Sequence, residues 1–436
     1  MRYVIVGSGV AGLAACEAIR GLDKAREIYM LSDDPHGYYS RPGLAYYLTG
    51  EMHEKGLFPR TKGDWQSLNL RFIRGRAARI YPAEHQLEID NKSHLKYDRL
   101  LIAVGAQAVR LDVPGADQEG ILKLDHLEDA RRILKLARCG KTAVVVGGGI
   151  TALELVEGLR SRCVKVHYLL RSGRYWSNVL DEQESKIIEH RLEEEGVSIH
   201  YQAELNKVIG SHGRVQGVRL LDGSVLRCDI LAYAIGIRPR VDLARAAGLG
   251  IERGILVDEH LQTSDRDIYA AGDVAQVYDP MSKRSIIYSL WGPAREQGFT
   301  AGLNMAGQEA SYIKSVPFNV TRLAGLTTTI IGTVGRGHDG DLVGIARGDS
   351  ETWRALPDAI VAQTGFNVNR LRLLVGEKTL LGAIVMGDQK LSFPLEKIIS
   401  AQADISPIRD KLLQSGTSIA DVIVDFWTTW RAQYAS

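Results

Sequence analysis

Two glycine clusters constrain this chain more than anything else in it, because each stands where a strand-like run gives way to a helix-like one. The first is Gly7-Ser8-Gly9-Val10-Ala11-Gly12, after the apolar run Tyr3–Val6. The second is Gly147-Gly148-Gly149-Ile150-Thr151-Ala152, after Thr142–Val146. Glycines at these spacings allow a tight turn, let a pyrophosphate approach the backbone and bring helix and strand into close contact, while the helix N-terminus attracts phosphate charge. In the second cluster Ala152 takes the place of the third glycine, where only close packing is at stake. Each cluster sits inside a β-α-β pattern: Tyr3–Val6, a helical stretch near Ala11–Arg20 and Glu27–Leu31, then Thr142–Val146, Thr151–Arg160 and Lys165–Leu170. Such alternation implies parallel strands joined by crossover helices. Two dinucleotide-binding units are expected.

A chain of 436 residues has room for roughly two to four domains. The apolar run Leu95–Ala103 ends at Gly105, with Pro114-Gly115 beyond it, and the run Ile230–Ile235 is closed by Gly236 and Pro239. Turn residues at both places read as an exit and a return. The second unit, 116–239, is therefore expected as an insertion into the first, 1–115 and 240–315. Beyond Val316 come strand-like runs, Leu326–Ile331, Leu371–Leu374 and Leu380–Val385, which predict a third domain over 316–436. Its tail reads as a helix, with Ile419, Val422, Ile423, Phe426, Trp427 and Trp430 at three- and four-residue steps. Such a stripe can lie on a membrane, but Asp421 and Asp425 interrupt it and few basic residues stand by to attract anionic lipid. Packing against the third domain or a second subunit is expected instead. The fold class predicted is α/β: two Rossmann-like dinucleotide-binding domains of the three-layer ββα type, plus a C-terminal α+β domain.

A formal charge of +2, from 54 basic and 52 acidic residues, supplies no strong field for a nucleic acid backbone. Cys16, Cys139, Cys163 and Cys228 lie far apart, without metal-ligand or C-x-x-C spacing. That disfavours a zinc site or a local redox disulfide and suits a reducing cytosol, so a cytoplasmic location is expected. His36, His167 and His190 form no spaced ligand set, and no metal is expected. The start, Met1 to Ile19, imitates a signal peptide, but Gly7, Gly9 and Gly12 break its apolar core. No apolar run reaches the ~18–20 residues that cross a bilayer, so membrane contact is not expected.

Asp33 and Asp34, just after the second strand, put a carboxylate where ribose hydroxyls would lie. In the second unit that slot holds Leu170, with Arg171 next and Arg174 three further on. Two guanidinium groups and no carboxylate favour a 2′-phosphate, hence NADPH over NADH. The alternative, that both arginines face solvent, stays open. A third signal is Asp267-Ile268-Tyr269-Ala270-Ala271-Gly272-Asp273, followed by Trp291-Gly292-Pro293-Ala294-Arg295-Glu296-Gln297-Gly298. A short strand ending in Gly-Asp can aim one carboxylate at a polyol, and Pro293 suits the first turn of a helix.

In this order the motifs resemble the two-dinucleotide flavoproteins of the pyridine nucleotide-disulfide oxidoreductase superfamily, over about residues 1–320. The resemblance implies FAD on the first domain and NADPH or NADH on the inserted one. It implies that Gly7, Ser8, Gly9, Val10, Ala11, Gly12, Asp33 and Asp34 hold FAD, with backbone around Ala77 at the adenine and Asp273 at the ribitol chain. Arg41, Pro42, Ala103, Gly105, Gly272, Trp291 and Gln297 are the further FAD candidates. Gly147, Gly149, Ile150, Glu154, Arg171, Arg174 and Gly236 are the candidates for the nicotinamide nucleotide. The helix after Pro293 would point its positive end at the pyrimidine side of the isoalloxazine.

The segment Tyr38-Tyr39-Ser40-Arg41-Pro42-Gly43-Leu44-Ala45-Tyr46-Tyr47-Leu48 is similar to the active-site segment of coenzyme A disulfide reductases and NADH oxidases, where a cysteine precedes Gly-Leu. Pro42 stands at that position here. Without a thiolate there is no nucleophile to attack a disulfide, so disulfide reduction is not expected. The His-Glu pair of glutathione-reductase-like members is also missing, since the last histidine is His338. Arg41-Pro42 resembles instead rubredoxin reductases, oxygenase-type ferredoxin reductases and the flavoprotein part of NAD(P)H nitrite reductases. That implies hydride transfer from nicotinamide to FAD, then electrons to an external acceptor, an iron-sulfur protein or a small molecule. Many ferredoxin reductases place a lysine near the flavin where this chain has Tyr46, which leaves Glu154, its usual partner, with Arg41 as a candidate mate. Arg41, Glu154 and Tyr46 are the catalytic candidates. Quinone or oxygen reduction and a redox-sensing scaffold are alternatives, and the third domain weakly resembles one that dimerises in some relatives.

Overall fold

The computed structural model describes residues 1–90, 92–279, 283–334, 370–414 and 418–434. The strand Arg2–Val6 is buried on both faces: Tyr3 and Ile5 enter one core cluster, Val4 and Val6 another. This is the two-residue alternation of a strand covered on both sides. It is the centre of a five-stranded sheet in the order Arg71–Arg74, Glu27–Ser32, Arg2–Val6, Arg99–Ile102, Ile268–Ala270, with every pairing parallel. An antiparallel meander, Ala77–Tyr81, Gln86–Ile89 and His94–Lys96, covers the Val4 face through Ile80, Leu87, Ile89 and Leu95. Helices Val10–Leu22 and Trp291–Met305 cover the Tyr3 face through Ala11, Ala15, Ile19, Ala301 and Met305. Small residues let these two helices touch backbone to backbone. A Cβ at Gly298 would run into the Ala11 carbonyl, and one at Gly302 would lie 2.5 Å from the Ala15 carbonyl oxygen.

The second sheet repeats the plan in the order Ser198–Tyr201, Lys165–Leu170, Thr142–Val146, Ile230–Tyr233, Ile121–Leu122, again all parallel. A meander of Leu205–Ser211, Arg214–Leu220 and Val225–Arg227 packs on Val144, Leu169 and Leu231. On the other face, helices Leu127–Leu136, Ile150–Arg160 and Glu182–Glu194 pack on Ala143, Val145, Val166 and Tyr168. Each sheet is thus the middle layer of a three-layer ββα unit, as expected. The chain crosses between them on Ala106–Ala108 and Ile237–Pro239, which pair antiparallel. The Val109 N–H donates to the Gly236 carbonyl and the Arg240 N–H to the Gly105 carbonyl, both at 3.0 Å.

Residues beyond 317 build a four-stranded antiparallel sheet in the order Phe318–Leu323, Leu326–Gly332, Leu380–Met386, Arg370–Val375. One face, through Leu326, Ile330, Ile384 and Met386, joins the core of the second unit. The other, through Ile331, Ala383 and Val385, carries helices Ser392–Ser400 and Ile419–Tyr434. The terminal aromatic stripe packs there: Ile423 is buried, and the Phe393 and Trp427 rings meet edge to face at 5.9 Å. Among the described residues no helix is long and apolar enough to cross a membrane. Arg372 ties the third sheet to the second unit, donating to Glu184 and to the Val179 carbonyl, each at 2.8 Å.

Candidate active site

A cavity of about 820 Å³ is lined by residues that follow the central strands of both parallel sheets, Gly9 and Val10 after the first and Gly147 to Ala152 after the second. The two turns share one geometry. Gly7 and Gly147 have φ of +113° and +141°, and a Cβ on either would run into a backbone carbonyl, that of Ala103 or Ala234. Only glycine fits there. Gly9, Gly148 and Gly149 are the opposite case, with open space where a Cβ would be.

Three helices begin on the cavity wall, at Val10, Ile150 and Trp291. None has a side-chain cap: the preceding residues are Gly9, Gly149 and Leu290. The helices starting at Lys62, Leu127 and Glu182 all carry capping boxes. Uncapped N-termini leave amide N–H groups unpaired and present the positive end of the helix dipole. Two of them face bare glycine backbone, an arrangement that fits the phosphates of two dinucleotides.

Arg41, Pro42, Asp125 and Asp273 line the cavity together with Tyr38 and Tyr39. Burial opposes the charge on Arg41, but Tyr39, Asp125, Asp34 and Asp273 more than offset it and hold the guanidinium protonated. The Tyr39 hydroxyl accepts from the Leu127 N–H at 3.0 Å. Burial pushes that phenol above its ordinary value, with Arg41 pulling the other way.

Of the residues singled out in the sequence, Gly9, Val10, Arg41, Pro42, Asp273 and Trp291 reach the wall, as do Gly147, Gly149, Ile150, Arg171 and Gly236. Others stand behind it. The Ser8 hydroxyl donates to Ser32 at 2.9 Å, and Gln297 accepts from the Gly272 N–H at 2.8 Å. Gly7, Ala11, Gly12 and Ala103 make the close contacts of the turn, and Gly105 begins the crossing ribbon. Asp34 accepts from the His36 N–H at 2.9 Å, Asp33 is exposed, and Ala77 lies in the meander, away from the wall. Tyr39, Asp125, Asn178 and Glu204 also line the cavity. Tyr39 lies in the segment singled out above, but no motif marks Asp125, Asn178 or Glu204, since their elements meet only in the folded chain.

Arg174 does not reach the wall: its guanidinium donates to the Ser177 and Leu180 carbonyls, at 2.9 and 3.4 Å, because the chain turns back over it. Tyr46 lies on the helix Leu44–Thr49, which packs on Ile150–Arg160 closely enough that a Cβ at Gly158 would fall 2.8 Å from that of Leu48. Burial drives the Tyr46 phenol far up; Arg322, 5.7 Å above the ring, opposes this, and Glu154 adds to it. Arg41 precedes that helix and turns to the cavity carboxylates.

Two Rossmann-type units sharing one cavity, with three uncapped helix N-termini aimed into it, define a dinucleotide-dependent flavoprotein reductase fold. Residues 1–298 match the family described as pyridine nucleotide-disulphide oxidoreductase, and the chain belongs to that family. It is 26% identical over 420 residues to the assimilatory nitrate reductase electron transfer subunit of Bacillus subtilis, covering 96% of this chain but 51% of that relative. The chain thus spans about half the length of that relative. It is 29% identical over 374 residues to the ferredoxin–NAD(+) reductase component of the biphenyl dioxygenase system of Paraburkholderia xenovorans, covering 84% of this chain and 90% of the relative. Its fold is that of putidaredoxin reductase in a covalent complex with putidaredoxin, with a TM-score of 0.81, 22% identity, and 97% and 98% of the two chains covered.

Proposed function

We propose that the protein is an FAD-dependent NAD(P)H oxidoreductase that passes electrons to an iron-sulfur protein. FAD, when bound, takes hydride from the nicotinamide and can release electrons singly. In this reading 1–115 with 240–315 form the FAD domain, 116–239 the NAD(P)H domain, and 316–436 the C-terminal domain. The Gly7–Gly12 turn binds one pyrophosphate and the Gly147–Ala152 turn the other. The N-terminus of the helix Trp291–Met305 favours negative charge at the flavin end. Arg41, held protonated among its carboxylates, fixes the loop that carries Pro42 and Tyr39. Leu290, Trp291, Tyr233 and Ile235 supply apolar wall that excludes water from the reacting faces.

The observation that carries this reading is the convergence of three uncapped helix N-termini on one cavity, with Pro42 on its wall. A proline supplies no thiolate at that position to take electrons onward, which supports transfer from the flavin to a separate acceptor. The printed names of the Paraburkholderia relative and of the putidaredoxin complex support an iron-sulfur acceptor. The cytoplasm is the location consistent with four unpaired cysteines. The C-terminal domain is the candidate for a homodimer contact.

Cytochrome c reduction by NADPH or NADH, with and without an added ferredoxin or rubredoxin, tests the proposal. Reduction that requires the iron-sulfur protein is expected. Equal rates without it, with faster turnover of a quinone or oxygen, would move the function to those acceptors. A purified, FAD-supplemented protein that stays colourless would end the flavin reading altogether.

A further inference from the structure

The charged side chains on the cavity wall are Arg41, Asp125, Asp273, Arg171 and Glu204. The first three form one group, since both acids support the charge on Arg41. Arg171 and Glu204 stand apart from it, on neighbouring segments. Arg171 directly follows the strand Lys165–Leu170, and Glu204 comes shortly after the adjacent strand Ser198–Tyr201. The backbone locks the two segments side by side: the Ala203 N–H donates to the Leu170 carbonyl at 3.0 Å, and the Gln202 N–H to the Ser172 carbonyl at 3.2 Å. Both side chains are exposed, and neither has an ion pair among the described residues. With Arg174 turned to backbone carbonyls, the end of the second cradle carries one cation and one anion.

We infer that Glu204 is a coenzyme-specificity residue that opposes the choice of NADPH. The inference rests on reading the second glycine turn as the nicotinamide-nucleotide cradle. A 2′-phosphate brings a charge of about −1.5 to −2 at neutral pH. Arg171 attracts it and Glu204 repels it, while Glu204 can accept a hydrogen bond from the 2′-hydroxyl of NADH. The two effects oppose each other, so Glu204 weakens the preference that Arg171 gives for the 2′-phosphate. Exposure and salt keep the repulsion moderate.

The test is calorimetric binding of adenosine 2′,5′-bisphosphate and of 5′-AMP to the full-length, FAD-loaded protein, which needs no turnover. Glu204→Gln is expected to tighten the bisphosphate about fivefold while leaving 5′-AMP unchanged or weaker. Arg171→Gln is expected to weaken the bisphosphate about tenfold and barely touch 5′-AMP. Glu204→Asp, which keeps the charge, should keep the unaltered ratio of the two affinities. If Glu204→Gln shifts neither ligand, or both equally, this inference is overturned and the cradle assignment survives. If the unaltered protein binds neither fragment, both fall together.

Discussion

The two phosphate cradles follow one plan but are built to different tolerances. In the first, a Cβ at Gly12 would collide with the Gly7 carbonyl, and Gly298 seats the neighbouring helix on the backbone of Ala11. In the second, Ala152 fits where the third glycine would be, and the close contact on its helix is Gly158 against a side chain, Leu48. Both cradles seat their first glycine on backbone, Gly7 on the Ala103 carbonyl and Gly147 on that of Ala234, so they part at the third position and not in the turn itself. The first cradle is thus the more rigid at its third position, where Gly12 leaves no room for the methyl that Ala152 shows the second to accept.

Equivalent substitutions should separate the two. Gly298→Ala drives a methyl into the Ala11 carbonyl and should cost about 3 kcal/mol, with loss of bound FAD read from the ratio of visible to ultraviolet absorbance. Retained flavin and unchanged denaturant midpoint would refute the rigid half of the contrast. Next in size is a pH effect confined to the second cradle's helix. Burial raises the Glu157 carboxyl to about 7 despite the pull of Arg322 and of the Gly325 amide, which donates to it at 3.1 Å. A carboxyl raised on folding stabilises the fold while protonated, and that contribution fades as pH climbs from the ordinary carboxylate range through about 7. Glu157→Gln should therefore gain on the unaltered protein over that window, by about 2 kcal/mol at pH 8. A pH-independent gap in urea midpoints would exclude this.

Arg171→Glu should raise KM for NADPH about tenfold more than for NADH, a difference steady-state kinetics resolves. Equal effects would mean that Arg171 is not at the 2′ position. Smallest is Gly158→Ala, which sets a methyl 2.8 Å from the Leu48 Cβ and separates two helices without touching the turn; a loss of about 1 kcal/mol, the low end for overpacking, is expected in thermal unfolding, with FAD retained. A loss as large as that of Gly298→Ala would erase the difference between the cradles.

Much of the architecture was legible because it is local. Gly7 and Gly147 announce a positive φ at a strand end, and alternation along Tyr3–Val6 announces a strand covered on both faces. The terminal stripe of Ile423, Phe426 and Trp427 showed its period, and Asp421 and Asp425 argued that it packs on protein; the sheet carrying Ile331 and Val385 covers it. The candidate site was half legible. Pro42 could be read in place, but Asp125 and Glu204 reach the cavity from elements that carry no motif. Spacing did not show that the Arg174 guanidinium would meet the Ser177 and Leu180 carbonyls.

From its order of residues alone this chain determines two glycine turns, each tying a strand to a helix, and the absence of a thiol at position 42. Those features depend on φ, hydrogen-bonding capacity and side-chain chemistry within a few residues. Tertiary structure alone decided that Arg322 would lie over the Tyr46 ring, that the Arg174 guanidinium would meet the Ser177 and Leu180 carbonyls, and that the segments carrying Glu204 and Arg171 would run side by side. Each depends on segments distant in the chain arriving at one place, and the direction of a side chain past the end of a strand is set by what it meets there.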